Sequence, residues 1–448
     1  VGKTVLKWHS TYRYWPDFLI LQKKPMKRFL LSLICLLFLV PLSAQQVANY
    51  DEQKVPTFSL PDPLLLDNGK KVKSVKVWEK KRRPQLLSHF EKHVYGKIPA
   101  GLKMTGFRVV EENEVTPYSN GRRKQVEMLL KKGERELPVQ LLIYLPKNKA
   151  KAPVFLGCNF YGNHTVTVDP EVMISGSWSR NNPSFGIINN TMTEQSRGAN
   201  ASRWPVQMIL DAGYGVATYY YGDVDPDRDD FSDGVHPFTY KKGQTQPGPE
   251  EWGAISAWAW GLSQSMDYLE TDPGVDATKV AVLGHSRLGK TALWAGAVDQ
   301  RFAIVISNNS GCGGAALSRR KFGETVERIN TAMPHWFCTN FKKYNNNENQ
   351  LPVDQHELIA LIAPRPVYIA SAEKDQWADP KGEYLSGHYA SPVYALYGME
   401  ALPSPEMPSL NQPVMNRAGY HIREGEHNIK AYDWQQYIRF ANKHFYGK

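Results

Sequence analysis

The chain reads as an α/β protein, with a mostly parallel central sheet covered by helices on both faces. Short apolar runs alternate with longer segments of helical periodicity from about residue 150 onward, the order of successive strand–helix–strand units. The runs themselves, such as Val280-Ala-Val-Leu283 and Val154-Phe-Leu-Gly157, show little polar alternation, as strands buried on both faces do. No Ser/Gly/Pro-rich linker and no internal repeat divides the sequence, so one large domain is expected.

The N-terminal stretch does not belong to that sheet. Met26-Lys27-Arg28 precedes the apolar run Phe29 to Val40, and Pro41-Leu-Ser-Ala44-Gln45 follows. A basic start, an apolar core and a small-residue exit are the parts of a secretory signal peptide, and the run is too short to span a bilayer as a helix. Residues 1–25 are therefore expected to be a non-native or over-long extension, 26–44 a signal peptide, and 45–448 the folded domain, secreted or periplasmic with no lasting membrane insertion. Positions 1–44 hold seven basic residues (Lys3, Lys7, Arg13, Lys23, Lys24, Lys27, Arg28) against Asp17, a net of +6, which leaves +4 of the formal +10 for the rest. That balance gives no concentrated basic patch, and no nucleic-acid partner is expected. Beyond Cys35 the chain has Cys158, Cys312 and Cys338. An exported chain with this odd number can form at most one internal disulfide; Cys312–Cys338 is the expected pair, with Cys158 buried.

The elements then follow in order. Val72–Trp78 reads as a strand, Gln85–Tyr95 as a short helix, and Val126–Leu130 with Leu137–Tyr144 as hairpin strands. Val154–Gly157 is a buried strand, Trp204–Ala212 a helix, Gly215–Tyr220 a strand, and Trp252–Tyr268 a long helix ended near Asp272-Pro273-Gly274. Next come strand Val280–Leu283, a helix from Arg287 into Gly296, strand Ala303–Ser307, helix His356–Leu361, strand Val367–Ala370 and a final helix from Ala431 to His444. The connections 158–202 and 310–350 are long and rich in aromatic, Asn and Gly residues. Both would leave the carboxyl ends of strands, where open α/β sheets bind ligands.

Chemistry concentrates in Gly284-His-Ser286-Arg287-Leu-Gly289-Lys290-Thr291, which fits two incompatible motifs. As G-x-S between a strand and a helix it is a turn presenting a nucleophilic serine, although the usual glycine two residues later is Leu288. As G-x-x-x-x-G-K-T it is a phosphate-cradling loop. That second reading wants an early position in its domain and a nucleotide-rich compartment; this segment follows several strands in a chain with an export signal. The serine reading wants an acid and then a histidine downstream. Strand Val367–Ala370 runs into Ser371-Ala-Glu373-Lys-Asp375-Gln-Trp377-Ala-Asp379, and Gly419-Tyr-His421-Ile-Arg-Glu424-Gly425-Glu-His427 precedes the last helix. His427 is the candidate base. His421 sits between Tyr420 and Ile422 in what looks like a short strand and reads as structural.

With these residues in view, the chain resembles the glucuronoyl esterases, carbohydrate esterase family 15, in their bacterial form, over roughly residues 60–448. The resemblance rests on Phe155-Leu-Gly157-Cys-Asn159-Phe-Tyr-Gly162-Asn163-His164-Thr165, on Gly284-His-Ser-Arg-Leu-Gly-Lys290, on Ser310-Gly-Cys-Gly-Gly-Ala-Ala-Leu-Ser-Arg319, on Trp377-Ala-Asp-Pro-Lys381 and on the His427 loop. It implies an α/β-hydrolase three-layer sandwich forming one catalytic domain. The implied reaction is hydrolysis of the ester between the 4-O-methyl-glucuronic acid of glucuronoxylan and lignin alcohols; an acetyl or feruloyl xylan esterase is the alternative. Carried over residue by residue, Ser286 would be the nucleophile, His427 the base and Arg287 an oxyanion-stabilising cation, with main-chain N–H groups and the loop around Cys158–Asn159 also contributing. Lys290, Glu324 and Trp377 would contact substrate. The family's fungal form pairs a cysteine beside the serine with one beside the histidine; here His285 and Asn428 stand there. The family's usual acid, a glutamate 23 residues after the serine, is replaced by Asn309. Asparagine can accept from an imidazole but cannot balance its charge, so Asp375 is the preferred acid over Glu373 and Asp379. No cofactor and no metal are expected; His164 and Asp169 belong to no cluster with ligand spacing. A monomer is expected.

Overall fold

Alternation within the buried strands decides the layers. Val154, Leu156, Val280, Val282 and Val305 pack into one hydrophobic core, while their neighbours Phe155, Ala281, Leu283, Ile304 and Ile306 pack into a second. Successive strand residues point to opposite faces, so a strand that is apolar at every position needs a cover on each side. The helices Ala254–Leu269, Arg287–Val298 and Gln355–Ala360 fill the first core; Val206–Asp211 and Ala431–Tyr446 cover the second. The result is a three-layer α/β sandwich, described here over residues 47–447 of a computed structural model and lying within one compact unit that begins at Ala48. The proposed extension and signal peptide lie outside the described residues.

Ten strands form a single sheet: β1 (Gly106–Asn113), β2 (Gly121–Lys132), β3 (Arg135–Pro146), β4 (Ala152–Asn159), β5 (Gly215–Tyr220), β6 (Val275–His285), β7 (Ile304–Asn308), β8 (Val367–Ala372), β9 (Val414–Met415) and β10 (Ala418–Arg423). Their spatial order is β1-β2-β3-β5-β4-β6-β7-β8-β10-β9. From β5 across to β10 the neighbours run parallel, and antiparallel strands finish both edges. The chain order reverses about β4, which has β5 on one side and β6 on the other. At such a switch point the loops diverge and leave a crevice outside the carboxyl ends of the strands.

Most expected elements are present and extend by a few residues, but two expectations fail. Residues 75–78 begin a helical stretch running to Tyr95 rather than a strand, because the Ser74 side chain accepts the Val77 N–H and caps the first turn. Cys312 and Cys338 are not bridged: all three described cysteines are free and buried. Cys338 faces the Lys92 carbonyl, whereas Cys312 lies where its own carbonyl receives the Lys290 ammonium. No helix among the described residues is long and apolar enough to cross a membrane.

Candidate active site

The serine-bearing turn follows from two local requirements. β6 ends at His285, and the next helix begins at Arg287, so a single residue must reverse the chain. Ser286 does this at φ 58°, ψ −130°, a left-handed conformation costly for a residue with a side chain and typical of strained functional turns. The helix also passes so close to the strand that a Cβ on Gly284 would fall 1.9 Å from the Leu288 carbonyl oxygen. Glycine is thus required two residues before the serine, whereas Leu288 is tolerated where the shorter motif has glycine. This geometry is the one expected of a nucleophile turn and disfavours the phosphate loop: the Lys290 ammonium, which such a loop would aim at phosphate, binds the Ser310 carbonyl at 2.5 Å and the Cys312 carbonyl at 2.7 Å.

Around this turn the structure gathers residues from four strand ends. Ser286, Arg287, Lys290, Asn309, Glu324, Asp375, Trp377 and His427 line one cavity of about 380 Å³, within the range of small-ligand sites. Met333, Trp336 and the Ser310–Gly311 corner complete its wall. His427 is on the loop after β10, with its side chain 42% exposed, and its Nδ1 lies 2.6 Å from Asp375 Oδ2; Asp375, beyond β8, is only 4% exposed. The carboxylate can only accept, so Nδ1 carries the proton and Nε2 is left free as a base. Asn309 Nδ2 donates to the same Asp375 oxygen at 2.8 Å. Asn309 is therefore a hydrogen-bond donor to Asp375. Glu373 accepts weakly from the Gly425 N–H at 3.4 Å, and Asp379 is committed to Arg320 at 2.8 Å. The rival histidine, His421, is fully buried in β10 and bonded to Asp433 at 2.8 Å.

Elsewhere in the lining, Arg287 is gripped by Asp227. That carboxylate also accepts from His335 Nε2 at 2.8 Å, Trp336 Nε1 at 2.7 Å and Tyr221 Oη at 3.1 Å. Burial pushes the Asp227 carboxyl up, but the Arg287 charge and the His335 and Trp336 donors outweigh it and hold the group well below the usual carboxylate range. The guanidinium rests 4.8 Å from the centroid of the Trp336 ring and keeps its Nε without a protein partner. The helix that starts at Arg287 adds the Arg287 and Leu288 amides, since those of Gly289 and Lys290 already donate to the Ser286 carbonyl. Positive charge and free N–H groups thus converge beside Ser286. The Asn159 side chain is spent on Asn163, Thr218 and the Gly162 N–H, so any contribution from that loop is not through this amide.

At the cavity floor the Lys290 ammonium lies 3.6 Å from Glu324. Burial raises the Glu324 carboxyl above its usual range and Lys290 pulls it back. Trp377, 40% exposed, forms part of the rim, and its carbonyl accepts the Glu324 N–H at 3.0 Å. Sequence reasoning missed Asp227 and Trp336. Trp336 lies in the aromatic connection 310–350 flagged by its length, but nothing local to Asp227 distinguishes it from the other aspartates of Asp223-Val-Asp225-Pro-Asp227.

Comparison with known proteins gives the family of the chain. A sequence profile described as "Glucuronyl esterase, fungi" matches residues 198–398. The chain is 52% identical over 400 residues to a protein named Carbohydrate esterase MZ0003, from an unknown prokaryotic organism, covering 89% of this chain and 92% of that one. The chain belongs to carbohydrate esterase family 15, the glucuronoyl esterases. Among solved structures it is similar to a promiscuous family 15 esterase from a marine bacterial metagenome (TM-score 0.84, 52% identity, 89% of this chain and all of that one). It is also similar to the glucuronoyl esterase from Solibacter usitatus (TM-score 0.83, 47% identity, 88% of this chain and all of that one). A bacterial glucuronoyl esterase of the α/β-hydrolase superfamily accounts for both the sandwich and the serine-centred cavity, and the activity is that of a carbohydrate esterase.

Proposed function

We propose that this enzyme cleaves the ester between the 4-O-methyl-glucuronic acid of glucuronoxylan and lignin alcohols by two-step acyl transfer. Ser286 is the nucleophile, His427 the base and Asp375 the acid that orients it; Arg287 and the first helix amides hold the oxyanion. The reading is carried by one observation: a histidine bonded to a buried carboxylate at 2.6 Å shares a cavity with a serine in a strained turn at a helix N-terminus. His427 Nε2 takes the Ser286 proton as Oγ attacks the uronate C6 carbonyl. The tetrahedral intermediate collapses, and the alcohol leaves with that proton from Nε2. Water, deprotonated by Nε2, then attacks the acyl-enzyme, and the uronic acid is released as Ser286 regains its proton.

Lys290, Glu324 and Trp377 are assigned to the sugar. An ammonium and a carboxyl at the cavity floor can satisfy ring hydroxyls, and an exposed indole can stack on an apolar sugar or aromatic face. Relatives named 4-O-methyl-glucuronoyl methylesterase, among them one from Wolfiporia cocos at 34% identity over 254 residues, support the choice of acid. The catalytic domain is taken to run from residue 45 of an exported bacterial protein whose leader, residues 26–44, is removed; the mature protein acts as a monomer.

The test measures alcohol release from benzyl glucuronate beside release from an acetylated sugar and from the benzyl ester of a plain carboxylic acid, in wild type and Ser286→Ala. The glucuronate should be preferred, because a site built around hydroxyl hydrogen bonds penalises their loss. The alanine variant should lose at least about a thousandfold in kcat with its circular dichroism unchanged. More than a tenth of wild-type activity in Ser286→Ala would remove the nucleophile assignment. Equal kcat/KM on glucuronate and plain esters would remove the substrate assignment, and preference for the acetylated sugar would favour an acetyl xylan esterase.

A further inference from the structure

The loop that delivers His427 is seven residues long, running from the end of β10 at Arg423 to the helix that starts at Ala431. An exposed loop of that length has no intrinsic reason to hold one conformation, because each ordered residue costs conformational entropy. Its two ends are joined by a buried ion pair. Arg423 Nε donates to both oxygens of Asp433, at 3.0 and 2.8 Å, and neither side chain is more than 3% exposed. The rest of the guanidinium reaches into the loop: Nη1 donates to the carbonyls of Glu424 (3.0 Å) and Glu426 (3.3 Å), and Nη2 to the carbonyl of Asn428. The last two are the carbonyls of the residues immediately before and after His427.

Asp433 is itself fixed. Its Oδ2 accepts the Lys430 N–H at 2.7 Å, and its Oδ1 accepts His421 Nε2 at 2.8 Å. Burial lowers the His421 pKa, so the ring is neutral with its proton on Nε2, and its Nδ1 faces Tyr368 Oη at 3.0 Å. A carboxylate in the first turn of a helix also lies at the favourable end of the helix dipole. From the other side the acid-bearing loop ties in, with Glu373 N–H to the Arg423 carbonyl at 2.9 Å and Lys374 N–H to the Gly425 carbonyl at 3.0 Å.

From this geometry we infer that Arg423 and Asp433 are positioning residues for the esterase reaction: their ion pair brackets His427 and fixes where its imidazole lies between Ser286 and Asp375. Neither touches substrate; both act through His427, so the inference rests on the assignment of His427 as base. The planar fork is what the task needs. A lysine ammonium could pair with Asp433 but could not also reach three carbonyls spread along the loop.

The test compares Arg423→Lys and Asp433→Asn with wild type, and with Ser286→Ala and His427→Ala, on benzyl glucuronate well below each protein's melting temperature. Both clamp variants should lose at least about thirtyfold in kcat while KM stays within about threefold, because neither Arg423 nor Asp433 lines the cavity with Lys290, Glu324 and Trp377. In proton NMR the downfield resonance of the His427–Asp375 hydrogen bond should broaden or vanish, although circular dichroism reports a folded chain. If Arg423→Lys does not fold, the nearly isosteric Asp433→Asn decides. A kcat within twofold of wild type, with only the melting temperature lowered, would reduce the pair to a structural tie and overturn the inference. Loss of activity in Ser286→Ala with activity kept in His427→Ala would instead overturn the base assignment on which it rests.

Discussion

Two buried aspartates hold side chains that line the cavity, and they are furnished differently. Asp227 holds Arg287, a permanent cation, and is crowded with further donors from His335, Trp336 and Tyr221. Asp375 holds His427, the proposed base, and among the described residues its side chain accepts from His427 and Asn309 only. A carboxylate saturated with donors has its charge spread over static bonds and is suited to fixing geometry. One with few donors keeps its field for a partner that becomes positive only during the reaction. On the proposed mechanism, the contrast separates an aspartate that fixes Arg287 from one that would take part in the charge changes of catalysis.

The largest effect should come from Asp375→Asn. Size and burial are kept, but the imidazolium loses its balancing charge and Nδ1 loses its fixed tautomer, so kcat should fall by about a thousandfold or more with KM changed little. Steady-state kinetics on benzyl glucuronate check this; a near-normal rate would move the acid to Glu373 or elsewhere. Asp227→Asn should be milder and of another kind. One amide oxygen must then serve donors that previously shared two, so Arg287 and Trp336 both shift, and kcat should fall by about ten- to a hundredfold while KM rises. A pure kcat effect in both variants would erase the distinction between wall and charge balance. Asp227 also carries a pH signature. Its folded pKa lies below the ordinary 3.8, so its stabilisation is present above that value and is lost as pH falls towards the folded pKa. The melting-temperature gap between wild type and Asp227→Asn should accordingly narrow in acid.

How much of this was legible beforehand depends on distance along the chain. The turn at Ser286, the strands beside it and the histidine before the last helix are announced by local pattern, since apolar runs and a glycine at a close approach leave marks within a few residues. Asp375 could be placed because it follows a strand end. Asp227 could not: it lies 60 residues from Arg287, and only the sheet order β5-β4-β6 brings the loop after β5 near the end of β6. Arg423 reads as one more polar residue near a loop until the helix that supplies Asp433 is packed against β10. The early helix reads as a strand by propensity, since Val72, Val75 and Val77 favour extended backbone, but the Ser74 cap overrides them. The expected disulfide rested on counting cysteines, which carries no information about where two thiols lie.

Asn309 sharpens the contrast at a smaller scale. Its backbone is left-handed, at φ 47°, a conformation asparagine and glycine accept and alanine resists. Asn309→Gly therefore deletes the amide that steadies Asp375 without adding backbone strain. A hydrogen bond to a charged group is worth about 1.5–3 kcal/mol, so kcat should fall by about ten- to a hundredfold, less than for Asp375→Asn. Equal losses in the two variants would mean that the amide, and not the carboxylate, dominates the orientation of His427.

The smallest effect concerns a third carboxyl beneath the same loop. Glu383 is fully buried; its Oε1 accepts the Ser310 N–H at 2.6 Å and the Gly311 N–H at 3.0 Å, and its Oε2 lies 2.7 Å from Ser371 Oγ. Burial, with Asp375 adding to it, pushes this carboxyl from 4.5 up to about 8 against those hydrogen bonds. A protonated acid satisfies the same contacts, with a carbonyl oxygen towards the two amides and a hydroxyl towards Ser371. Between about pH 4.5 and about pH 8 the unfolded chain has released this proton and the folded chain still holds it, so wild-type stability should decline as pH rises through that window. The slope from this group is bounded at about 1.4 kcal/mol per pH unit. Glu383→Gln copies the protonated form, amide oxygen towards the N–H groups and amide nitrogen towards Ser371, and removes the titration. Thermal melts should give the variant nearly wild-type stability in mild acid and a growing advantage towards pH 8, with kcat at neutral pH within about twofold. A gap that stays flat across the window would mean that Glu383 is ionised alongside Asp375, and the donors supplied by Ser310, Gly311 and Ser371 would then place it with Asp227 as a charged anchor of the wall.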